Sequence, residues 1–282
     1  MMRQGRGGVV VAFLLMLGVE LAPAAPNDIG GLVCWLQGDS ITGLNNGDLI
    51  SSWNDQSGGG HSFFQTDSNH QPTWYAGGTT NGINNHATVR FNGVGNYFVA
   101  GNFIDFPSLT VFVVAKSYKT DRFLFTDYGD TPIKTIFLTT GNTYTGYARS
   151  ADPTVGMKVD MANPYNNAFE IGEMVLDSAA TTLRAKIIRG DGTSVTGSDT
   201  QAGYTPDTFE GGAPPTLGAY NDGGTVENYF DGCVAEFIIY NRALSSTEIG
   251  QVENYLQGRY ALPEPATLLL LILGGVGLVR RK

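Results

Sequence analysis

Short runs of β-branched and aromatic residues alternate along most of the chain with stretches rich in Gly, Asn and Asp. Such runs, bounded by turn residues, are typical of β-strands. Asp191-Gly192 and the stretch 221–224 carry residues that favour tight turns between strands. The pattern predicts strands at Leu32–Leu36, Val89–Phe91, Leu109–Ala115, Arg122–Thr126, Thr135–Thr139, Tyr144–Arg149, Ala168–Leu176, Leu183–Ile188, Pro215–Tyr220 and Cys233–Tyr240.

One segment near the end of the chain has helical periodicity instead. Ser245 and Glu248 have the spacing of a capping box, and Gly258 is expected to end the helix. The apolar residues that share one face of this helix are Ile249, Val252, Tyr255 and Leu256. Many short strands with one terminal helix predict an all-β fold, a two-sheet antiparallel jelly-roll sandwich with one short C-terminal helix, over residues 27–262.

The first 24 residues have the layout of a signal peptide. Arg3 and Arg6 form a positive region, Val9–Val19 is apolar, and Ala22-Pro23-Ala24 is a small-residue cleavage site. Cleavage is expected before Ala25, so the chain is predicted to be exported.

The last twenty residues form a second targeting segment. Pro263-Glu264-Pro265 is followed by an apolar run from Ala266 to Val279 and by Arg280-Arg281-Lys282. The run is a predicted transmembrane helix, residues 266–279. A helix of this length rises only about 21 Å, against a hydrocarbon core of about 30 Å. The short length favours a processed signal over the alternative, an ordinary C-terminal anchor helix.

The tail, residues 263–282, resembles the PEP-CTERM sorting signal of exported proteins of Gram-negative bacteria. The resemblance implies that Pro263, Glu264 and Pro265 form the motif that a membrane protease-transpeptidase of the exosortase type recognises. It also implies localisation to the cell envelope, cell surface or extracellular matrix. The chain would contact the membrane through the tail before processing.

Charge narrows the choice of partners. The chain has a formal net charge of −9 at pH 7. The signal peptide contributes +1 and the tail +2, so the domain between them has a net charge of −12. A domain this acidic, with no basic stripe, is not expected to bind nucleic acid. Polyanionic glycans are poor partners for the same reason, and neutral extracellular polysaccharide or cations are the better expectation.

Several motifs at the two ends of the domain resemble LamG-like (concanavalin A-like) domains of bacterial secreted proteins. The matching segments are Gly31–Leu36, Gly47–Gly58, Gly82–Gly93, Phe230–Ser245 and Tyr255–Tyr260. The resemblance implies a two-sheet jelly roll whose first and last strands lie close together. It implies no single function, because this fold carries sugar binding, protein binding and catalysis.

The two cysteines lie in those first and last strands. In an exported chain, Cys34 and Cys233 are therefore predicted to form a disulfide, which would close a loop of roughly 200 residues. The alternative is two buried free thiols, which pack as small apolar groups.

Some glycoside hydrolases use this fold, and their catalysis requires a pair of carboxylates. Enzymes of the laminarinase type place two glutamates on alternate positions of one strand, so that both point into one cleft. The nearest match is Glu170-Ile171-Gly172-Glu173, whose spacing puts the glutamates on opposite faces. We interpret both as solvated strand positions and predict that the protein is not an enzyme. A glycoside hydrolase is the less favoured alternative.

Calcium is the one cofactor for which the sequence offers ligands. Hard cations prefer several carboxylate and carbonyl oxygens, and LamG-like domains often hold calcium at a loop rim. The candidate ligands lie in the first loops and beside the last hairpin: Asp39, Asp48, Asp55, Asp222 and Asp231. The alternative is that these aspartates only stabilise solvated turns.

Exposed aromatic rings are the features expected to bind sugar. Trp35 and Trp53 are predicted core residues, whereas Trp74 and Tyr75 follow Pro72 in a polar, turn-rich stretch. Trp74 and Tyr75 are therefore the candidate glycan-binding residues. The sequence predicts an exported, surface-sorted, non-enzymatic module for carbohydrate binding or adhesion in the extracellular matrix or biofilm. The alternative is a structural or protein-interaction module without a small ligand.

Overall fold

The computed structural model describes residues 24–101, 106–120, 122–128, 133–140, 143–150, 152, 154–162, 167–206 and 213–260. These residues form eighteen strands and one α-helix. The strands of the first half are β1 (Leu32–Gln37), β2 (Ser52–Trp53), β3 (Phe63–Phe64), β4 (Thr73–Tyr75), β5 (Thr88–Asn92), β6 (Phe98–Val99), β7 (Leu109–Ser117), β8 (Arg122–Tyr128) and β9 (Ile133–Thr140). The others are β10 (Thr143–Arg149), β11 (Gly156–Ala162), β12 (Glu170–Asp177), β13 (Thr182–Arg189), β14 (Ser194–Thr200), β15 (Thr216–Leu217), β16 (Tyr220–Asp222), β17 (Thr225–Glu227) and β18 (Asp231–Tyr240), and the helix is α1 (Ser246–Tyr260).

Two large antiparallel sheets form the sandwich. Sheet A has the strand order β14-β13-β12-β7-β18-β5-β4, and β1 also pairs with β18. Sheet B has the order β11-β10-β9-β8-β15-β6-β3-β2, and β16 and β17 form a separate hairpin. The predicted all-β jelly-roll sandwich with a C-terminal helix is therefore confirmed.

The last strand is the centre of sheet A. β18 pairs along its length with β7, at its start with β5 and at its end with β1. All ten residues of β18 are buried, because one face packs against sheet B and the other lies under α1. The first and last strands are neighbours, as the sequence predicts.

The core between the sheets contains rings and branched aliphatic side chains from both sheets. Phe237 of β18 contacts Phe63 and Phe125 of sheet B, with ring centroids 6.2 and 4.9 Å apart. Trp53 is fully buried beside them. Burial of rings of this size supplies a large share of the stabilisation of a sandwich.

The helix covers the outer face of sheet A. Val252, Leu256 and Tyr260 pack on apolar residues of β7 and β18. The predicted cap is confirmed, because the Glu248 carboxylate accepts a hydrogen bond from the backbone N–H of Ser245 at 2.9 Å. Gly258 does not end the helix. The last turn continues because the buried Tyr260 ring packs on sheet A and its hydroxyl donates to Glu236.

One predicted strand is divided in two. The run Pro215–Tyr220 contains β15 and the start of β16, separated at Gly218. Gly218 has a φ of +94°, and a Cβ there would come within 2.3 Å of the Phe91 ring. Only glycine tolerates both conditions, so the chain leaves sheet B at this point.

The predicted disulfide is wrong: both cysteines are buried and free. Cys34 lies opposite Ile239, which is six residues along β18 from Cys233. Six residues of strand span about 20 Å, whereas bridged Cα atoms lie within about 7 Å. The side chains also point to opposite faces, because Cys34 belongs to the inter-sheet core, as does Val234, the neighbour of Cys233. Although β1 and β18 are neighbours, their pairing register keeps the two thiols apart.

The predicted targeting segments lie outside the described residues. This applies to residues 1–23 of the predicted signal peptide, to Pro263-Glu264-Pro265 and to the apolar run 266–279. Within the described ranges, no helix has the length and apolar character needed to cross a membrane.

Candidate functional site

The loop between β1 and β2 builds a cleft at one edge of the sandwich. Backbone hydrogen bonds hold the middle of this loop against β4: Gly47 N donates to Trp74 O at 3.0 Å, and Trp74 N donates to Asp48 O at 2.9 Å. Asp48 also accepts from the backbone N–H of Asn45 at 2.8 Å, which closes a turn. The loop is therefore held to the sheet on its inner side and open on its outer side.

The cleft, which we call the neutral cleft, has a volume of about 290 Å³. No charged side chain lines it within the described part of the chain. The hydroxyl and amide groups of its wall come from Ser40, Thr42, Ser51, Ser52 and Asn54, and its apolar groups from Ile41, Leu44, Leu49 and Ile50. Thr42, Ser51, Ser52 and Asn54 are exposed, so their polar groups can exchange water for a ligand.

An exposed aromatic ring lies beside this cleft. Phe64 of β3 pairs directly with Ser52 of β2, which lines the neutral cleft. Directly paired residues of an antiparallel sheet share a face, with Cβ atoms about 5 Å apart. Phe64 is 44% exposed, and the other large apolar side chains exposed in the described ranges are Leu49 and Val94. Leu49 lines the cleft as well, so two of these three side chains lie at this edge.

Sequence reasoning missed Phe64. In Phe63-Phe64, both residues have the character of core residues, and the short strand shows no alternation from which to choose between them. The pairing with β2 determines which ring is exposed, because Phe63 pairs with the buried Trp53 and Phe64 with the exposed Ser52.

Trp74 and Tyr75, the predicted glycan contacts, lie on β4 at the edge of sheet A and are half-buried. The Trp74 ring packs against the inter-sheet core, and its Nε1 donates to Gly38 O at 3.1 Å. Trp74 thus supports the loop of the neutral cleft from its inner side. Its ring is not the freely exposed platform that the sequence predicts.

Asp39 and Asp55 are candidate calcium ligands whose oxygens are engaged by protein groups and whose pKa is lowered as a result. Asp39 accepts from His86 Nδ1 at 2.6 Å and from Arg259 at 2.7 Å. Asp55 accepts from the backbone N–H groups of Trp35 and Ser57, both at 2.8 Å. Partial burial raises the pKa of each carboxyl, but the hydrogen bonds outweigh it and hold the pKa below its usual range.

The other three aspartates lie apart. Asp231 is buried and forms ion pairs with Arg90 and Lys119. Asp48 closes the turn in the first loop, and Asp222 lies exposed at the end of β16. Across the described ranges, no three His, Cys, Asp or Glu side chains gather as a metal site would require. The five aspartates therefore do not form a common calcium site.

Glu170 and Glu173 lie on opposite faces of β12, as their spacing predicts, but both are buried, so the interpretation as solvated positions is wrong. Glu170 faces sheet B, where its carboxylate interacts with Tyr144. Burial and Glu170 together raise the pKa of Tyr144. Glu173 lies under α1, in a pocket separate from the neutral cleft. Sequence patterns indicate which face a residue takes, but not that a helix covers that face.

No protein-family model and no curated protein matches the chain. The resemblances to LamG-like domains and to the PEP-CTERM tail therefore stay predictions. The class that the fold itself defines is an antiparallel β-sandwich of jelly-roll type.

Among solved structures, the chain is similar to the Ruminococcus gnavus IT-sialidase CBM40 bound to α2,3-sialyllactose, with 15% identity, a TM-score of 0.43, and coverage of 51% of this chain and 80% of the other. It is also similar to the K499G mutant of NanB sialidase from Streptococcus pneumoniae, with 19% identity, a TM-score of 0.46 and coverage of 57% of this chain and 26% of the other. A third is the binding domain of botulinum neurotoxin DC in complex with SialylT, with 11% identity, a TM-score of 0.46 and coverage of 83% and 53%. The chain spans about a quarter of the NanB chain. Likenesses this distant carry no inference about what this chain binds.

Proposed function

We propose that this chain is an exported, surface-sorted, non-enzymatic β-sandwich module that binds neutral carbohydrate, for adhesion in the extracellular matrix or biofilm of a Gram-negative bacterium. The observation that carries the proposal is the neutral cleft, where exposed hydroxyl and amide groups lie beside Phe64 and Leu49. A sugar ring presents hydroxyl groups at its edge and an apolar face of C–H groups. The cleft offers complementary groups for both.

The size and charge of the cleft agree with such a ligand. Its volume of about 290 Å³ is at the lower end of the range for small-molecule sites, which suits one or two sugar rings at an open edge. The domain charge of −12 favours neutral over acidic glycans.

The non-enzymatic part of the proposal rests on the composition of the cleft wall. Glycoside hydrolysis ordinarily requires two carboxyl groups about 5–9.5 Å apart around the scissile bond. The residues that line the neutral cleft include no carboxylate. Binding without cleavage is the activity that this surface supports.

Replacing Phe64 by Ala is expected to weaken the binding of neutral oligosaccharides by about 5- to 30-fold, because the ring supplies the apolar platform, worth about 1–2 kcal/mol. Wild-type affinities for a single module should be about 10 μM to 1 mM. The measurement is isothermal titration with a panel of α-glucan, β-glucan, xylan and mannan oligosaccharides, repeated in EDTA to test whether binding depends on calcium.

Val94→Ala is the matched control, since Val94 is also exposed and does not line the neutral cleft. Both variants should keep the wild-type melting temperature. If Phe64→Ala binds like Val94→Ala, the neutral cleft is not the site. If the wild type binds no neutral glycan, carbohydrate binding fails and a structural or protein-interaction module takes its place.

Export and sorting make a separate prediction. Protein from the surface of its native host is expected to lack residues 1–24 and residues 266–282, because a signal peptidase removes the first segment and an exosortase-type protease the second. Intact-mass measurement determines both ends. A C terminus at Lys282 would show that the tail is retained as a plain membrane anchor.

A further inference from the structure

A second pocket lies between the outer face of sheet A and α1. We call it the Glu173 pocket; its volume is about 480 Å³. Its charged wall consists of Glu173 on β12, Arg184 and Lys186 on β13, and Glu253 on α1. Strand register places Glu173 directly opposite Lys186, and Arg184 directly opposite Ser198 of β14. These residues therefore lie in two adjacent rows on the face that the helix covers.

Glu173 is the unusual member of this group. Glu173 is 6% exposed, and no N–H or O–H group of the described residues donates to its Oε2 atom. An unpaired polar atom at this depth costs about 1–3 kcal/mol unless a ligand or solvent satisfies it. Glu173 lines the pocket, so a rotation of its carboxyl group would turn the unsatisfied oxygen toward a ligand there.

Neither of the two cationic side chains near Glu173 bonds to it directly. The Lys186 ammonium donates to Glu253 Oε1 at 2.5 Å, so Glu253 has a cationic partner. Arg184 is exposed and acts on Glu173 only through its charge. On the other side, β7 places the apolar Phe112 opposite Glu173. The buried Glu173 and the half-buried Glu253 thus lie near one ammonium, and that ammonium bonds directly to Glu253 alone.

This imbalance determines the protonation of the pair. Burial, the hydrogen bond to Glu253 and the charge of Glu253 raise the pKa of Glu173 to about 8, against the smaller opposing effects of Lys186 and Arg184. At neutral pH, Glu173 is therefore mostly protonated. A second ammonium beside Glu173 would supply the missing positive charge and favour the ionised carboxylate.

We propose that the Glu173 pocket binds a primary ammonium group carried by a hydroxylated molecule, an amino sugar. The ammonium would donate to Glu173 Oε2, and the hydroxyls of Thr196, Ser198 and Ser246 would meet the sugar hydroxyls. A neutral hydroxyl would satisfy the oxygen without supplying charge. The site is separate from the neutral cleft and does not depend on the function proposed there.

Proton release is the signature of this site. The free pocket holds a proton on Glu173, and the bound ammonium ionises that carboxyl, so one proton passes to the buffer for each ligand bound. Isothermal titration of the purified protein with D-glucosamine at pH 6.5, in two buffers of different ionisation enthalpy, measures this release. We expect between about half a proton and one proton per site.

Matched ligands and variants complete the test. D-Glucose and N-acetyl-D-glucosamine, which lack the ammonium, should bind at least about tenfold more weakly than D-glucosamine. Glu173→Gln retains the shape of the protonated acid and should lose about tenfold in affinity together with the proton release. Val94→Ala, whose side chain is exposed and lines neither pocket, should leave both unchanged.

Three results would overturn the proposal: no D-glucosamine binding, equal affinity for D-glucose, or binding by the wild type without proton release. The last measurement needs no variant, so it decides the question even if Glu173→Gln folds poorly. Loss of neutral-oligosaccharide binding in Phe64→Ala would bear only on the neutral cleft.

Discussion

Replacing Glu236 by Ala is expected to lower the free energy of unfolding by about 3–5 kcal/mol, a large share of the 5–15 kcal/mol typical of a domain. Glu236 lies on β18 and is completely buried. Its carboxylate accepts hydrogen bonds from Trp35 Nε1 at 2.6 Å, from the Tyr260 hydroxyl at 2.7 Å and from the Tyr255 hydroxyl at 3.1 Å. These donors come from β1 and from α1, so this one side chain joins three elements.

The loss in free energy of unfolding comes from the hydrogen-bond donors that would remain without an acceptor. Alanine removes the acceptor while the indole N–H and both phenol groups stay in place under the helix, where little water reaches them. The guanidinium of Arg259, whose Nε lies 3.4 Å from Glu236 Oε2, would also lose its buried counter-ion. Burial raises the pKa of Glu236. The hydrogen bonds from Tyr260, Trp35 and Tyr255, together with the positive charge of Arg259, oppose that rise, so the ionised carboxylate depends on these partners.

Urea unfolding followed by tryptophan fluorescence measures the effect. Glu227→Ala is the control, since Glu227 lies exposed on β17, and it should stay within about 0.5 kcal/mol of the wild type. A loss of less than about 1 kcal/mol in Glu236→Ala would mean that this network does not hold the helix to the sheet.

The second large effect is a dependence of stability on pH that comes from Glu173. A carboxyl whose pKa is higher in the folded state than in the unfolded chain stabilises the fold while it is protonated. That contribution is complete below the unfolded pKa, near 4.5, and is lost as the pH rises through the folded pKa of about 8. We therefore expect the wild type to lose about 2–4 kcal/mol relative to Glu173→Gln between pH 5 and pH 9.

The comparison with Glu173→Gln isolates this residue, because every other titrating group is common to both proteins. Glutamine mimics the protonated acid, so the two proteins should be about equally stable at pH 5, diverge steadily as the pH rises to about 8, and keep a constant difference above that. Urea unfolding at four pH values is sufficient. Parallel profiles for the two proteins would show that Glu173 ionises in the folded state at its ordinary pKa.

The strands and the helix that the sequence predicts correctly are those with a clear local pattern of apolar and polar residues. β7 and β18 were found because long β-branched runs buried on both faces differ clearly from the loops around them. α1 was found from its capping box and its apolar spacing. β14 was missed because Ser194–Thr200 contains a single apolar residue, so its place at the sheet edge depends on pairing with β13.

For the candidate sites, the sequence by itself determined the composition of the molecule: an acidic chain, rich in strands, with a predicted targeting segment at each end. Only the tertiary structure decided which residues act together. Cys34 and Cys233 lie on neighbouring strands yet far apart, because the pairing register places Cys34 of β1 beside Ile239, near the end of β18 away from Cys233. Trp74 is half-buried and Phe64 exposed, because the sheet edges and the first loop determine what covers each ring. Glu173 and Glu253 meet, although 80 residues separate them, because α1 folds back over β12 and β13. Burial and pairing depend on contacts distant in sequence, and local pattern does not encode them.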